Sequence, residues 1–355
     1  MTGAGRSNAP RVPADLLRTQ IRDILTALDL READAALTAD ILVAADLRGV
    51  DTHGAAKVVR YAGLLQSGRC TPRPDLRILS ESASTALITC GNGLGFIGAH
   101  RAMDLAIAKA RSTGTGSVAV RDGHHIGMVA YYPMMALRHD MIGLAVTNCA
   151  RSVRPARGAR PRVGTNPIAF AAPAGRERPF VLDMATSVVA SEKLALAVTH
   201  GIDIPPGWAV AADGTPIRTP PAERSESWAL LPLGSSGLLG AHKGYGLAVM
   251  VDILAGVLSG GGYGALLPFG DNMTFVMALD IAAFRPVDEF KAMMDDLIAT
   301  LHATPPEDGQ TRVLVAGDPE ADAFEERSRN GIPLHQEHLD SIREKARELG
   351  VPLSI

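Results

Sequence analysis

The chain has 355 residues, 46% of them hydrophobic and 21% charged, which is enough to bury a large core in two or three compact units. A formal net charge of −3 without any basic block leaves no electrostatic footprint for nucleic acid, and 4% aromatic residues argue against a base-stacking surface. Three scattered cysteines, Cys70, Cys90 and Cys149, fit no metal-ligand spacing and read as small core residues in a reducing, cytoplasmic compartment.

The opening "MTGAGRSNAPRVP" has no apolar core of the kind a secretory signal needs and reads as a polar tail. From Pro13 to Gly68 the apolar residues recur at helical spacing through "DLLRTQIRDILTALDL", "READAALTADILVAADLRG" and "VDTHGAAKVVRYAGLL". Pro72 and Pro74 then punctuate the chain. Beyond them, short β-like runs alternate with helices and Gly-rich turns: "TALIT", "GSVAV", "MIGLAVTN", "PIAFAAP", "PFVLDMA" and "MTFVMALDI". The longest apolar stretch, Gly246 to Leu258, contains Asp252 and is too short for a bilayer, so it reads as a buried helix. After Phe284 helical spacing returns in "VDEFKAMMDDLIATLHA" and "SIREKARELG". The expected assembly is a helical unit from residues 12–72 and 285–355, packed on an α/β unit spanning 73–284.

Six stretches carry residue types suited to chemistry. "GLGFIG", Gly93 to Gly98, lies between a strand and a helix, as a dinucleotide fingerprint does, and Asp122 after the next strand stands where a ribose acid belongs. A lone G-x-G-x-x-G also serves as an ordinary strand-to-helix turn. In "RDGHHIGMVAYY", His124 and His125 follow a strand, where an imidazole can exchange a proton near neutrality; no third ligand accompanies them, so no metal is expected. In "GVDTHGAAKVVRY", His53 follows Thr52, and Lys57 four residues on shares its face if the segment is helical. Thr165 in "VGTNPIAF" is placed to hydrogen-bond a ligand or close a turn. Ala185, Thr186 and Ser187 after "VLDM" open an expected helix whose free N–H groups suit a phosphate, though simple capping explains them equally. His242 and Lys243 sit in a Gly-rich turn that is not a P-loop.

Taken in order, "GVDTHGAAKVVRY", "GNGLGFIGAHRAMDLAIAKAR", "DGHHIGMVAYY", "GTNPIAF", "VLDMATS", "HKGYGLAVMVDILAGVLSG" and "AGDPE" resemble the malate/L-lactate dehydrogenase family. This family is distinct from the Rossmann lactate and malate dehydrogenases, and it includes sulfolactate and ureidoglycolate dehydrogenases and piperideine-2-carboxylate reductase. The resemblance implies a non-Rossmann mixed α/β sheet beside a helical domain from both chain ends, in a dimer. It implies an NAD(P)-dependent oxidoreductase, using NADH or NADPH on a small carboxylate: a 2-oxo acid, a 2-hydroxy acid or a cyclic imino acid. Proton handling then falls to His53 and His125, assisted by Thr52 and Lys57, with Arg60 and Thr165 on substrate. The cofactor falls along Ile126, Gly127, Met128 and Val129, then Ala185, Thr186 and Ser187, His242 and Lys243, and Gly317 and Asp318. Two positions depart from the family: Thr52 replaces its usual Ser, and Lys57 its usual Arg, which keeps the charge but loses the bidentate fork. Two rival readings stand beside it. One is a Rossmann dehydrogenase built on Gly93–Gly98 and Asp122. The other is a binding protein that has kept the fold without turnover.

Overall fold

A computed structural model describes residues 9–199, 201–221 and 225–355. The chain enters through a short strand β1 (Arg11–Val12) and helix α1 (Ala14–Ala27), whose Leu17, Ile21, Ile24 and Leu25 form one buried face. Helix α2 (Glu32–Leu47) follows and is buried on most sides. The segment carrying His53 is not one helix. Two 3₁₀ turns, Asp51–His53 and Ala55–Lys57, are separated by Gly54 in extended geometry, and α3 (Val58–Gln66) begins only afterwards. His53 and Lys57 therefore share no α-helical face, and a tertiary contact is the reason. Gly54 presses against Asp46 of α2 so closely that a β-carbon there would lie 1.8 Å from Asp46 Oδ1.

The central unit runs β2 (Arg77–Glu81), β3 (Thr85–Thr89), α4 (Gly95–Thr113), β4 (Thr115–His124), α5 (Tyr131–Leu137), β5 (Met141–Thr147), β6 (Ile168–Ala172) and β7 (Phe180–Met184). It continues through α6 (Ser191–Thr199), a hairpin of β8 (Ala209–Ala211) and β9 (Trp228–Leu230), α7 (Ala241–Val251) with a π-helical extension Asp252–Val257, and β10 (Asp271–Asp280). Seven strands form one sheet in the order β2-β3-β4-β10-β5-β6-β7. Only β3 and β4 pair in parallel; the other ladders of this sheet are antiparallel. Each β-like run picked out in the sequence coincides with one of these strands. Asp252, within the apolar stretch, accepts hydrogen bonds from Asn148 Nδ2 and Gly264 N–H, which satisfies its buried carboxylate.

The chain closes with α8 (Val287–His302), α9 (Asp318–Asn330), β11 (Ile332–Pro333) and α10 (Gln336–Glu348). β11 pairs antiparallel with β1, Val12 opposite Ile332, so the two chain ends are stitched together. Among the described residues no helix is long and apolar enough to cross a membrane.

The mixed sheet rules out the Rossmann reading, and the fingerprint-like turn shows why the pattern arises without a ligand. β3, α4 and β4 do form a parallel βαβ unit, with Gly93–Gly98 at its strand-to-helix turn. Its glycines are filled by protein. A β-carbon on Gly95 would lie 1.9 Å from the His124 carbonyl oxygen, one on Gly93 2.6 Å from Pro74, and one on Gly98 2.7 Å from Cys90 Sγ. The missing side chains let α4 close onto the end of β4, which leaves no berth for a pyrophosphate. Asp122 is likewise occupied: it accepts from Thr89 Oγ1 at 2.8 Å and pairs with Arg121.

Candidate active site

His125 is the first residue beyond β4, whose end is held in register with β10, His124 opposite Asp271. The closure of α4 at Gly95 therefore fixes the start of the His125 loop directly. The loop is pinned further along: Tyr132 Oη donates to the Ile126 carbonyl at 2.6 Å, and Ala130 N–H donates to Asp183 Oδ2 at 2.7 Å. Gly127 adopts a left-handed φ of 72°, with the Phe96 ring where a β-carbon would project. Ile126, Met128 and Val129 are buried, giving the loop an apolar wall.

His53 is positioned by a different device. Asp46 Oδ2 accepts from Ala55 N–H at 2.7 Å, and the buried Arg327 of α9 donates both to the Asp46 carbonyl and to the Asp51 carboxylate. The turn carrying Thr52 and His53 is thus clamped between α2 and the C-terminal segment. Burial pushes the Asp46 carboxyl up to about 8, so it is protonated and uncharged at neutral pH.

The two imidazoles meet. Their ring centroids are 5.3 Å apart and the planes differ by 18°, a stacked pair. Thr52 Oγ1 lies 2.9 Å from His53 Nδ1. Tyr61 Oη lies 2.7 Å from His125 Nδ1, and Gly127 N–H donates to the same nitrogen at 3.2 Å. A backbone N–H can only donate, so the network assigns Nδ1 as acceptor and places the neutral ring's proton on Nε2. Desolvation, then the neighbouring His53, Arg60 and Lys57, holds His125 well below the usual histidine range. Charge on His53 disfavours charge on its stacked neighbour His125.

The pair faces a cleft of about 820 Å³. Of the residues singled out in the sequence, Thr52, His53, Lys57, Arg60, His125, Ile126, Gly127, Met128, Val129, Thr165 and Ala185 line it. Cys149, expected in the core, is half-buried and lines the cleft too, whereas the other candidate site residues lie off it. Thr186 and Ser187 do not open a helix, because α6 begins only at Ser191; their stretch is held extended by a Ser187–Pro232 bridge and a Val188-to-Leu231 hydrogen bond. Their hydroxyls are committed to the carbonyls of Thr165 and Val189. His242 and Lys243 are exposed in the first turn of α7. Gly317 packs on Val181, and Asp318 accepts from Val315 N–H and bonds His302 Nε2 at 2.8 Å. The arginine-rich stretch 150–162 is drawn to one carboxylate: Arg151, Arg160 and Arg162 all pair with Glu226.

Sequence reasoning passed over several cleft residues. Arg48 lines it with a buried Nε that has no hydrogen-bond partner, and desolvation lowers its pKa against the pull of Glu320 and Asp183. Asp183 is raised to about 6 by burial, opposed by the N–H groups of Ala130 and Val129. His335 and His338 of the C-terminal segment also line the cleft. Only a buried acid in the apolar run "ILVAADLRG" gave any sign of the Asp46 clamp.

A mixed sheet thus brings a histidine pair and cationic side chains to one open cleft. The comparisons with known proteins carry this further. The malate/L-lactate dehydrogenase family matches residues 12–343. A malate dehydrogenase of Pyrococcus horikoshii is 42% identical over 350 residues, covering 97% of each chain, and a structure of that organism's enzyme superposes with a TM-score of 0.89 over 99% of each. An L-sulfolactate dehydrogenase of Methanothermobacter thermautotrophicus is 37% identical over 342 residues, 94% of this chain and 96% of the relative. A malate dehydrogenase structure from Entamoeba histolytica superposes with a TM-score of 0.93 at 29% identity, over 98% of this chain and all of that one. The chain belongs to the malate/L-lactate dehydrogenase family, an oxidoreductase with that family's non-Rossmann fold.

Proposed function

We propose that the chain is a nicotinamide-dependent dehydrogenase that interconverts a small 2-hydroxy carboxylate and its 2-oxo form, or reduces a cyclic imino acid, with the His53–His125 pair handling the proton. The observation that carries this reading is the stacked pair in a cleft that Lys57 and Arg60 also line. The cleft fits NADH or NADPH. Its volume lies within the ~300–1,000 Å³ of ligand pockets, its loop Ile126–Val129 offers an apolar face for a planar ring, and the Nε–H of Arg48 awaits an acceptor such as a phosphate oxygen. When bound, the nicotinamide exchanges a hydride with the substrate's C2 carbon.

The remaining steps belong to the protein. Lys57 and Arg60 hold the carboxylate as point charge and fork respectively, and Thr165 donates from its hydroxyl. In reduction, negative charge grows on the substrate oxygen or nitrogen, and the pair delivers a proton there. In oxidation, the neutral pair receives it. The anionic substrate favours the protonated pair electrostatically, so substrate binding and proton uptake reinforce one another. Tyr61 and Gly127 fix the His125 ring through Nδ1, and Thr52 orients His53.

A homodimer belongs to the same reading. Met250, Ile253, Val257 and Leu258 form an exposed apolar stripe on α7 and its extension, and Tyr263, Leu266 and Phe269 nearby are also exposed. Such a stripe is suited to a second copy of this chain. The direct test is His53→Ala and His125→Ala, assayed on 2-oxo acids and cyclic imino acids with both reduced cofactors. Each is expected to lower kcat by about 10²–10⁴ while NADH or NADPH still binds by nicotinamide fluorescence. Full turnover in both variants contradicts the assignment.

A further inference from the structure

Arg60 is the fork for the substrate carboxylate in the reading above, because Lys57 offers only a point charge. A fork works only when its plane is aimed, so a guanidinium on a flexible stem has to be held. Among the described residues no acidic side chain holds this one, since Arg60 forms no ion pair there. Its guanidinium lies over the ring of Phe269 instead, with Cζ 5.5 Å from the ring centroid. That is inside the ~6 Å over which an aromatic face attracts a cation. Both residues line the cleft.

Phe269 is brought there by the connection into β10. Arg69 Nη2 donates to the Phe269 carbonyl and to the Asp271 carboxylate, which fixes the backbone on either side of Gly270. Gly270 has a left-handed φ of 101°, and a β-carbon on it would lie 3.5 Å from Arg60 Nη2. The turn therefore delivers Phe269 to the edge of the cleft while the chain passes close beside the guanidinium. The ring stays 53% exposed and belongs to none of the buried apolar clusters. Core packing does not account for an aromatic side chain at this position.

An aromatic face suits this task better than a carboxylate. A carboxylate would cancel the charge of Arg60 and take up its N–H groups. A ring attracts the cation through its quadrupole and leaves that charge and the in-plane donors for a substrate anion. The held guanidinium also stands close to the proton pair, since its charge is among those that disfavour protonation of His125.

We propose that Phe269 is a positioning residue for the reaction: its ring holds the Arg60 guanidinium toward the substrate carboxylate, beside the His53–His125 pair. Phe269 acts through Arg60 and takes no part in proton or hydride exchange. This deepens the dehydrogenase reading and rests on it.

The test uses full-length Phe269→Leu, Phe269→Tyr and Phe269→Trp, assayed on pyruvate and oxaloacetate with NADH and NADPH, and titrated with oxamate in the presence of the reduced cofactor. Phe269→Leu keeps apolar bulk and removes the aromatic face. Its substrate KM and oxamate dissociation constant should rise about three- to tenfold, the worth of a cation–π contact in a partly desolvated cleft. Its kcat and NADH affinity should stay within about twofold, the mark of lost uniform binding. Tyr and Trp keep an aromatic face and should restore most of the wild-type KM, which a merely structural role would not require. In an Arg60→Ala background, Phe269→Leu should weaken oxamate binding no further, because one residue acts through the other. An unchanged KM in Phe269→Leu, a loss that Tyr and Trp do not restore, or an equal loss in the Arg60→Ala background overturns the inference. So does a Phe269→Leu variant that changes only its mass by light scattering, which would assign the ring to a subunit contact. These results leave the dehydrogenase reading intact. Wild type that binds no oxamate and reduces no 2-oxo or imino acid contradicts that reading, and this inference with it.

Discussion

Replacing Gly95 by Ala adds a single methyl group where two backbone segments touch. That β-carbon would sit 1.9 Å from the His124 carbonyl oxygen and 2.8 Å from both the His124 carbonyl carbon and Ile126 Cγ2, whereas real β-carbons stop near 3.0 Å. The nearest obstacle is backbone at the end of β4, held by its ladder to β10, so no rotamer change relieves it. The helix and strand end must separate by about 1 Å, and overpacking of this kind costs typically ~1–3 kcal/mol, with a clash against backbone at the upper end. With a urea m-value of about 3 kcal/mol/M, the midpoint should drop by up to about 1 M. The displacement reaches His125 one residue later, where a shift of about 1 Å costs on the order of 10²-fold in rate. Urea titration, NADH fluorescence titration and turnover on one preparation separate the effects. The expected pattern is lower stability and much lower kcat, with NADH affinity changed only a few-fold. A variant of unchanged stability that has lost NADH binding would mean the glycine turn holds the cofactor, and the reasoning here would be wrong.

Three further outcomes follow from the same structure. Asp46 has a folded pKa of about 8 against an ordinary 3.8, so the stability it costs grows as pH rises from about 4 and levels off above about 8. Asp46→Asn keeps an acceptor for Ala55 N–H and should raise the urea midpoint at about pH 9 relative to wild type; a midpoint that falls equally at all pH values contradicts a protonated Asp46. Arg48→Ala should weaken NADH and ADP-ribose binding by about 10–100-fold, the worth of a charge-assisted hydrogen bond; calorimetry showing unchanged ADP-ribose affinity excludes a phosphate role for Arg48. Ile253→Asp/Val257→Asp should give a monomer by light scattering if the stripe joins two copies, whereas a dimer of wild-type mass removes that face from the interface.

The fold was largely legible because each element carries its own periodicity. "TALIT" and "MIGLAVTN" stand at β3 and β5, and "DLLRTQIRDILTALDL" places the buried face of α1. Errors arose where a tertiary contact decides the local geometry. The run from Val50 to Leu65 has helical spacing, yet Asp46 fits so tightly under Gly54 that the helix starts only at Val58. The Gly93–Gly98 turn had a correct strand and helix on either side, but only the fold reveals that the His124 carbonyl fills it. The stretch at Thr186 reads as a helix start, and its pairing with Pro232 keeps it extended. His53 and His125 could be named through family resemblance; their stacking could not, since nothing in either motif reports a distance across 72 positions. His335 and His338 escaped notice because they sit on a polar, exposed helix start without a motif of its own.

The central claim is that hydride and proton exchange take place against the His53–His125 stack. A crystal structure of the protein with NADH and a non-reducible 2-oxo acid analogue such as oxamate tests it most directly. The account predicts the nicotinamide against the Ile126–Val129 loop and the analogue's carbonyl oxygen within about 3.2 Å of an imidazole nitrogen of the pair, the reach of a hydrogen bond. A nicotinamide bound elsewhere, or an analogue seated beyond the reach of both rings, would contradict it.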